Sequence, residues 1–227
     1  MGARHVCALV RNGKVADLFG DFPENDSKNN IRFGSIFFSK VERNLKGANG
    51  SILNLGKNLK GFIKKNAIDF NLGENLIVQC VNTMNEGKLP LFSKDILMKE
   101  KYAIFNLSSK GVRLSKRVRD IDRLESLKNN ELQKISLDNS MGIILRSSCV
   151  SISNEAILKY IKEKITKYLT LTNLALRTPQ ILYDGHKSRE RALSEWSHVE
   201  DKNIIELVNC FDSHGVWETL EALKSEI

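Results

Sequence analysis

The chain has 227 residues, 41% of them hydrophobic and 27% charged, with a net charge of +8. That suits one large domain or two to three small ones with real cores, and four widely spaced cysteines with no CxxC pair exclude a disulfide framework or a zinc knuckle. The charge is uneven, +13 over residues 1–180 and −5 over residues 181–227, so the front four-fifths favours a polyanion, with plain solubility charge as the alternative.

Residues 5–10 and 15–19 are apolar runs around Asn12-Gly13, a pair that predicts a tight β-hairpin turn. Residues 21–30 are polar, contain Pro23 and predict a linker. From 35 to 80, short apolar runs at 35–41, 51–55, 61–63 and 76–81 alternate with glycines. That spacing fits a five-stranded OB-type barrel, although a β-barrel that binds nothing fits the pattern as well. Cys7, Cys80 and Cys149 sit in apolar runs and predict buried thiols.

Residues 101–107 predict a strand, followed by a dense basic run of Lys110, Arg113, Lys116, Arg117, Arg119 and Arg123. Such a run can track a nucleic-acid backbone, or it can be a solvated face. Residues 121–135 predict a helix, and 141–147 a buried strand ending in a cation and two hydroxyls. Ile157, Tyr160, Ile161, Ile165 and Leu169 recur at helical spacing, so 154–169 predicts an amphipathic helix with Ser153 as its cap. A helix over 188–196, a strand over 204–208 and a last helix opening at Ser213 or His214 complete the chain. No 18-residue apolar stretch and no signal peptide occur, so a cytoplasmic protein with no membrane partner is expected.

Taken in order, these residues resemble the bacterial endoribonucleases of the RNase E/G type. Gly34-Ser35-Ile36-Phe37-Phe38-Ser39-Lys40-Val41 is similar to the segment opening that family's S1 domain. Gly50-Ser51-Ile52-Leu53-Asn54-Leu55-Gly56 with Lys60-Gly61-Phe62-Ile63 resembles the domain's signature stretch, and residues 73–79 its closing strand. Arg113 through Arg119 resembles the basic segment of the 5′-sensor, and Gly142-Ile143-Ile144-Leu145-Arg146-Ser147 the phosphate-sensing strand. Residues 179–191 and 214–218 look like the divergent short members found in alphaproteobacteria.

The resemblance implies an α+β multi-subdomain fold: an RNase H-like subdomain interrupted by an S1/OB-type β-barrel and a mixed α/β 5′-sensor-like subdomain. Residues 1–30 and 171–227 would be the two RNase H-like parts, 31–88 the barrel and 89–170 the sensor. Arg146 and Ser147 would grip a 5′-monophosphate, the guanidinium as a fork and the hydroxyl as a further donor. Glu100 and Ile104 match the backbone positions that face the phosphate. Phe62 matches an aromatic of the RNA face, with a core phenylalanine as the other reading, whereas Ile52 stands where an aromatic is usual. Lys40, Lys60 and Lys64, with Lys57 and Lys65, are candidate phosphate contacts on the barrel. Arg113, Lys116, Arg117 and Arg119 are the same on the sensor.

In that family, hydrolysis uses Mg2+ held by two aspartates of a DNase I-like module, expected beyond residue 227. No catalytic residue, metal ligand or cofactor is therefore assigned within the chain. The expected function is single-strand-specific RNA binding in RNA processing or decay, with 5′-monophosphorylated RNA as the special case and no cleavage by the chain alone. The alternative is a non-catalytic structural or regulatory protein that binds RNA or protein. Leu207, Val208, Phe211, Trp217, Leu220 and Leu223 would leave apolar surface in the closing segment, so homo-oligomerisation is a further expectation.

Overall fold

The computed structural model describes residues 4–11, 14–21, 31–64, 70–83, 88–119, 121–172, 177–196 and 203–210. The predicted turn at Asn12-Gly13, the linker from 22 onward, Lys65 and the last helix lie outside the described residues. In chain order the strands begin with β1 (Arg4–Arg11), β2 (Lys14–Gly20), β3 (Ile36–Leu45), β4 (Gly50–Gly56) and β5 (Leu59–Lys64). They continue with β6 (Asn75–Asn82), β7 (Leu91–Ser93), β8 (Leu97–Lys99), β9 (Ala103–Asn106) and β10 (Val112–Leu114). Helices α1 (Ile121–Leu127) and α2 (Gln133–Asp138) follow, then β11 (Gly142–Leu145), α3 (Asn154–Thr172), β12 (Gln180–Tyr183), α4 (Ser188–Glu195) and β13 (Asn203–Cys210). The fold is mixed α+β, and it divides into two units, Met1–Asn30 with His186–Ile227, and Ile31–Gly185.

In the first unit, β1 is the middle strand of an antiparallel sheet ordered β13-β1-β2. Val6, Cys7, Ala8, Leu9 and Val10 are all buried, as expected of a continuous apolar run in a central strand. Cys7, Leu9 and Phe19 pack against Ala192 and Trp196 of the α4 segment. Phe19 and Trp196 stack at 4.6 Å, and the Arg191 guanidinium lies 3.9 Å from the Phe19 centroid. The Trp196 indole N–H donates to Asp17 Oδ2 at 3.0 Å. Asp21, just past β2, caps α4: its carboxylate accepts from Ser188 N and Ser188 Oγ, both at 2.9 Å.

In the second unit, β3, β4, β5, β7 and β6 follow one another around a closed, OB-like barrel, and the β3–β6 pairing shuts it. Only β5 and β7 run parallel within the ring. Phe37, Val41, Leu53, Leu55, Ile63, Leu76, Val78, Cys80 and Phe92 fill the interior. The side-chain period of two sends Leu53 and Leu55 of β4 and Leu76, Val78 and Cys80 of β6 to this inner face. The β4–β5 hairpin closes through Lys57 and Asn58, both at positive φ, the geometry of a two-residue type I′ turn. Strand β12 adds to the outer edge at β3, pairing Gln180 with Phe38 and Tyr183 with Ile36. The expected closing segment, 171–227, is thus divided, with residues up to Gly185 belonging to the unit of the barrel. Here Arg32 and Asp184 also form an ion pair.

A second sheet, ordered β10-β11-β9-β8, carries the other core of this unit. Met98, Phe105, Val112, Ile143 and Leu145 meet Leu124, Leu127 and Leu132 of the α1–α2 segment and Ile157, Ile161, Ile165 and Tyr168 of α3. Ser153 caps α3 by accepting from Ala156 N at 3.3 Å. The expected single helix over 121–135 is broken by a π-helical turn at Lys128–Leu132. The reason is a five-residue step from Leu127 to Leu132, too long for one α-turn to keep both on the core side. The wider turn also aims Gln133 and Ser136 at β10, where they accept from Val112 N and Gly111 N.

Candidate nucleic-acid interface

The barrel register brings its outward side chains into rows. One row is Asn75, Lys40, Asn54 and Lys60 across β6, β3, β4 and β5, all exposed. The neighbouring row is Arg43, Ile52, Phe62 and Leu91. Ile52 is 9% exposed and Phe62 half-buried, so an aromatic surface lies beside a polar, cationic one. Gly50 makes the Phe62 position possible. A Cβ at residue 50 would collide with the Phe62 ring and with the Ile63 carbonyl.

Lys40 and Lys64 are exposed on this surface. Lys60 has another partner, since its ammonium lies 2.6 Å from Glu42 Oε1 across the strands. A phosphate would have to compete with that carboxylate. Arg43 joins the surface although alternation from Phe37, Ser39 and Val41 would send it inward. A β-bulge between Val41 and Arg43 shifts the register and leaves Glu42, Arg43 and Asn44 all exposed. Nothing in a period-two pattern announces such a bulge.

Three loops meet at one end of the β10-β11-β9-β8 sheet. Arg146 N donates to Tyr102 O at 2.9 Å on one side, and Ser115 N donates to Leu145 O at 2.8 Å on the other. Residues 100–102 and 115–119 thus flank Arg146 and Ser147. Arg113, Lys116, Arg117 and Arg119 are all exposed, and Val118 is buried and pins their turn. Arg123, grouped with them by sequence, belongs elsewhere. Its guanidinium donates to the carbonyls of Cys149, Val150 and Ile152 and to Asn154 Oδ1, between 3.0 and 3.3 Å. It fixes the 3₁₀ turn Ser147–Ser151 that follows Arg146.

Arg146 is only 9% exposed, and its Nη1 donates to the Glu100 carbonyl at 2.7 Å. Ser147 is half-buried beside it. The Glu100 carboxylate accepts from Tyr168 OH, from Tyr160 OH at 3.2 Å and from Lys164 Nζ at 2.9 Å, all on α3. Burial, then the Glu100 charge and hydrogen bonds, push both tyrosine hydroxyls well above the usual phenol range. They remain protonated donors. The Cys149 thiol, donating to Tyr102 O at 3.0 Å, is raised to about 11 by burial. It is a packed group rather than a nucleophile.

Among the described residues, no three His, Cys, Asp or Glu side chains come together as a metal site. The carboxylates of interest are committed: Asp17 to Trp196, Asp21 to Ser188, Glu100 to Tyr160, Tyr168 and Lys164, and Asp184 to Arg32. The described residues do not fit a magnesium centre. Among them, too, no helix is long and apolar enough to cross a membrane. No protein-family model matches the chain, and no curated protein matches its sequence.

Proposed function

We propose that the chain binds single-stranded RNA in the manner of the RNase E/G-type endoribonucleases it resembles, with its barrel facing the strand and the Arg146 end of the second sheet facing a 5′ end. The observation that carries this reading is the meeting of loops at that end. Lys116, Arg117 and Arg119 stand exposed on a turn hydrogen-bonded beside Arg146 and Ser147, and Arg113 stands exposed on the strand that leads into it. Charged groups that serve only solubility have no need to converge on one strand end. The barrel adds an aromatic at Phe62 and cations at Lys40, Arg43 and Lys64, the pairing of stacking surface and phosphate contacts that single strands require. In this reading the β13-β1-β2 sheet with α4 belongs to an RNase H-like subdomain, and the role lies in RNA processing or decay.

The inward turn of Glu100 supports the 5′-phosphate part of the proposal. A carboxylate at that position would repel a phosphate, but here its charge is spent on α3. The test is a binding titration with 5′-phosphorylated and 5′-hydroxyl RNA decamers at two salt concentrations, for the native chain and Arg146→Ala. About four phosphate contacts predict a slope of log affinity against log salt near −3. Native protein should prefer the phosphorylated decamer, and Arg146→Ala should lose that preference. Affinity indifferent to salt would sink RNA binding and favour a protein partner.

A further inference from the structure

Beside Arg146 lies a group of side chains that neither the barrel nor the basic turn accounts for. Tyr102 and Tyr160 meet edge to face at 5.1 Å. The Lys101 ammonium lies 5.0 Å from the Tyr102 centroid, and the Lys164 ammonium 5.4 Å from that of Tyr160. Lys101 is exposed, whereas both rings are half-buried. The pair is anchored from below and behind. Tyr160 donates to Glu100, and the Tyr102 carbonyl takes Arg146 N and Cys149 Sγ. Ser148 Oγ donates to the Lys101 carbonyl, so this loop and the turn after Arg146 are tied together.

We propose that Tyr102, braced by Tyr160, is the platform on which the first base of a bound single strand stacks, with Lys101 moving from the ring to the adjoining phosphate. This rests on the RNA-binding reading above and adds to it a base contact at the 5′ end. The energetic order favours the exchange. A base stacked on an aromatic ring is held more strongly than an exposed ammonium resting on the same ring. The displaced lysine has a flexible stem and finds a stronger partner in a phosphate oxygen. Tyr160 cannot tilt away as the base arrives, because its hydroxyl and the Lys164 ammonium both end on the Glu100 carboxylate. The platform therefore exists before the strand does, and stacking is sequence-tolerant because every base has a π-face.

The experiment crosses two changes. Native protein and Tyr102→Leu are each titrated with a 5′-phosphorylated RNA decamer and with the same decamer lacking its first base. Tyr102→Leu should weaken binding of the intact decamer roughly tenfold, removal of the base should weaken native binding similarly, and the two losses should not multiply. Tyr102→Phe should restore native affinity. If Tyr102→Leu does not fold, Tyr102→Trp replaces it, and its fluorescence should be quenched by the intact decamer and not by the abasic one. Native protein that binds both decamers equally overturns the platform and leaves the RNA-binding proposal standing. So do losses that multiply independently. Native protein that binds neither decamer overturns both.

Discussion

Glu100 is the residue whose role depends most on its surroundings. Its carboxylate is nearly buried and holds two hydroxyls and one ammonium from α3, while its carbonyl holds Arg146. Glu100→Leu would strand Lys164 and both tyrosine hydroxyls, at a cost of about 2–4 kcal/mol. Glu100→Gln keeps an acceptor and should cost less, and urea titration of the two variants measures the difference. The buried thiols make a second prediction. Burial raises Cys80 to about 12 and Cys149 to about 11, from the ordinary thiol value of 9.0. A folded-state value above the unfolded one gives stability that is complete below pH 9 and is lost as pH rises from there through 11–12. Denaturation midpoints should fall over that window, and the fall should be shallower in Cys80→Ala and Cys149→Ala. A midpoint flat to pH 11 would show that the thiols are not buried as described.

At the scale of elements, the β4–β5 pair sets the aromatic surface and α4 shows how a short helix is held. Gly50→Ala forces the new Cβ into the Phe62 ring and the Ile63 carbonyl, so either the strands part or the ring leaves. The expected result is a loss of about 1–3 kcal/mol in stability together with weaker RNA binding. Phe62→Leu, which removes the ring and spares the strands, should weaken binding alone. Unchanged affinity in Phe62→Leu would make Phe62 a packing residue only. Helix α4 has eight residues, too few to persist by itself, and depends on Asp21 at its start and the Phe19–Trp196 stack at its end. Asp21→Ala should lower stability by about 1–2 kcal/mol, with the loss seen in Trp196 fluorescence.

Among the described residues the two units hold apolar clusters of unequal size. The second holds two large apolar clusters, and the described cluster of the first comprises Cys7, Leu9, Phe19, Ala192 and Trp196. Trp196, the tryptophan among the described residues, falls in the first unit. Fluorescence therefore follows that unit, while far-ultraviolet circular dichroism follows the larger second one. The expected outcome in urea is two transitions that do not coincide. Superimposed curves would mean that the units unfold as one.

Much of the local structure was legible from the chain, because it depends on neighbours in sequence. The short apolar strands at 35–41, 51–55 and 76–81, the four-residue spacing of Ile157, Ile161 and Ile165, and the Ser153 cap each reach the structure as read. The mixed α+β class and the OB-like barrel follow from such patterns plus closure. What those patterns cannot carry is which distant group a polar side chain meets. Lys60 and Arg123 look alike in a basic sequence, yet one is tied to Glu42 and the other locks a turn. A bulge exposes Arg43, and a π-turn moves Gln133 and Ser136 onto β10. The side of the backbone on which Glu100 spends its charge was decided 60 to 68 residues away, by Tyr160, Lys164 and Tyr168. Periodicity determines elements because burial repeats along the chain. Charge finds its partner only in three dimensions, and it is there that this chain's positive charge is divided between side chains tied into the structure and side chains left exposed.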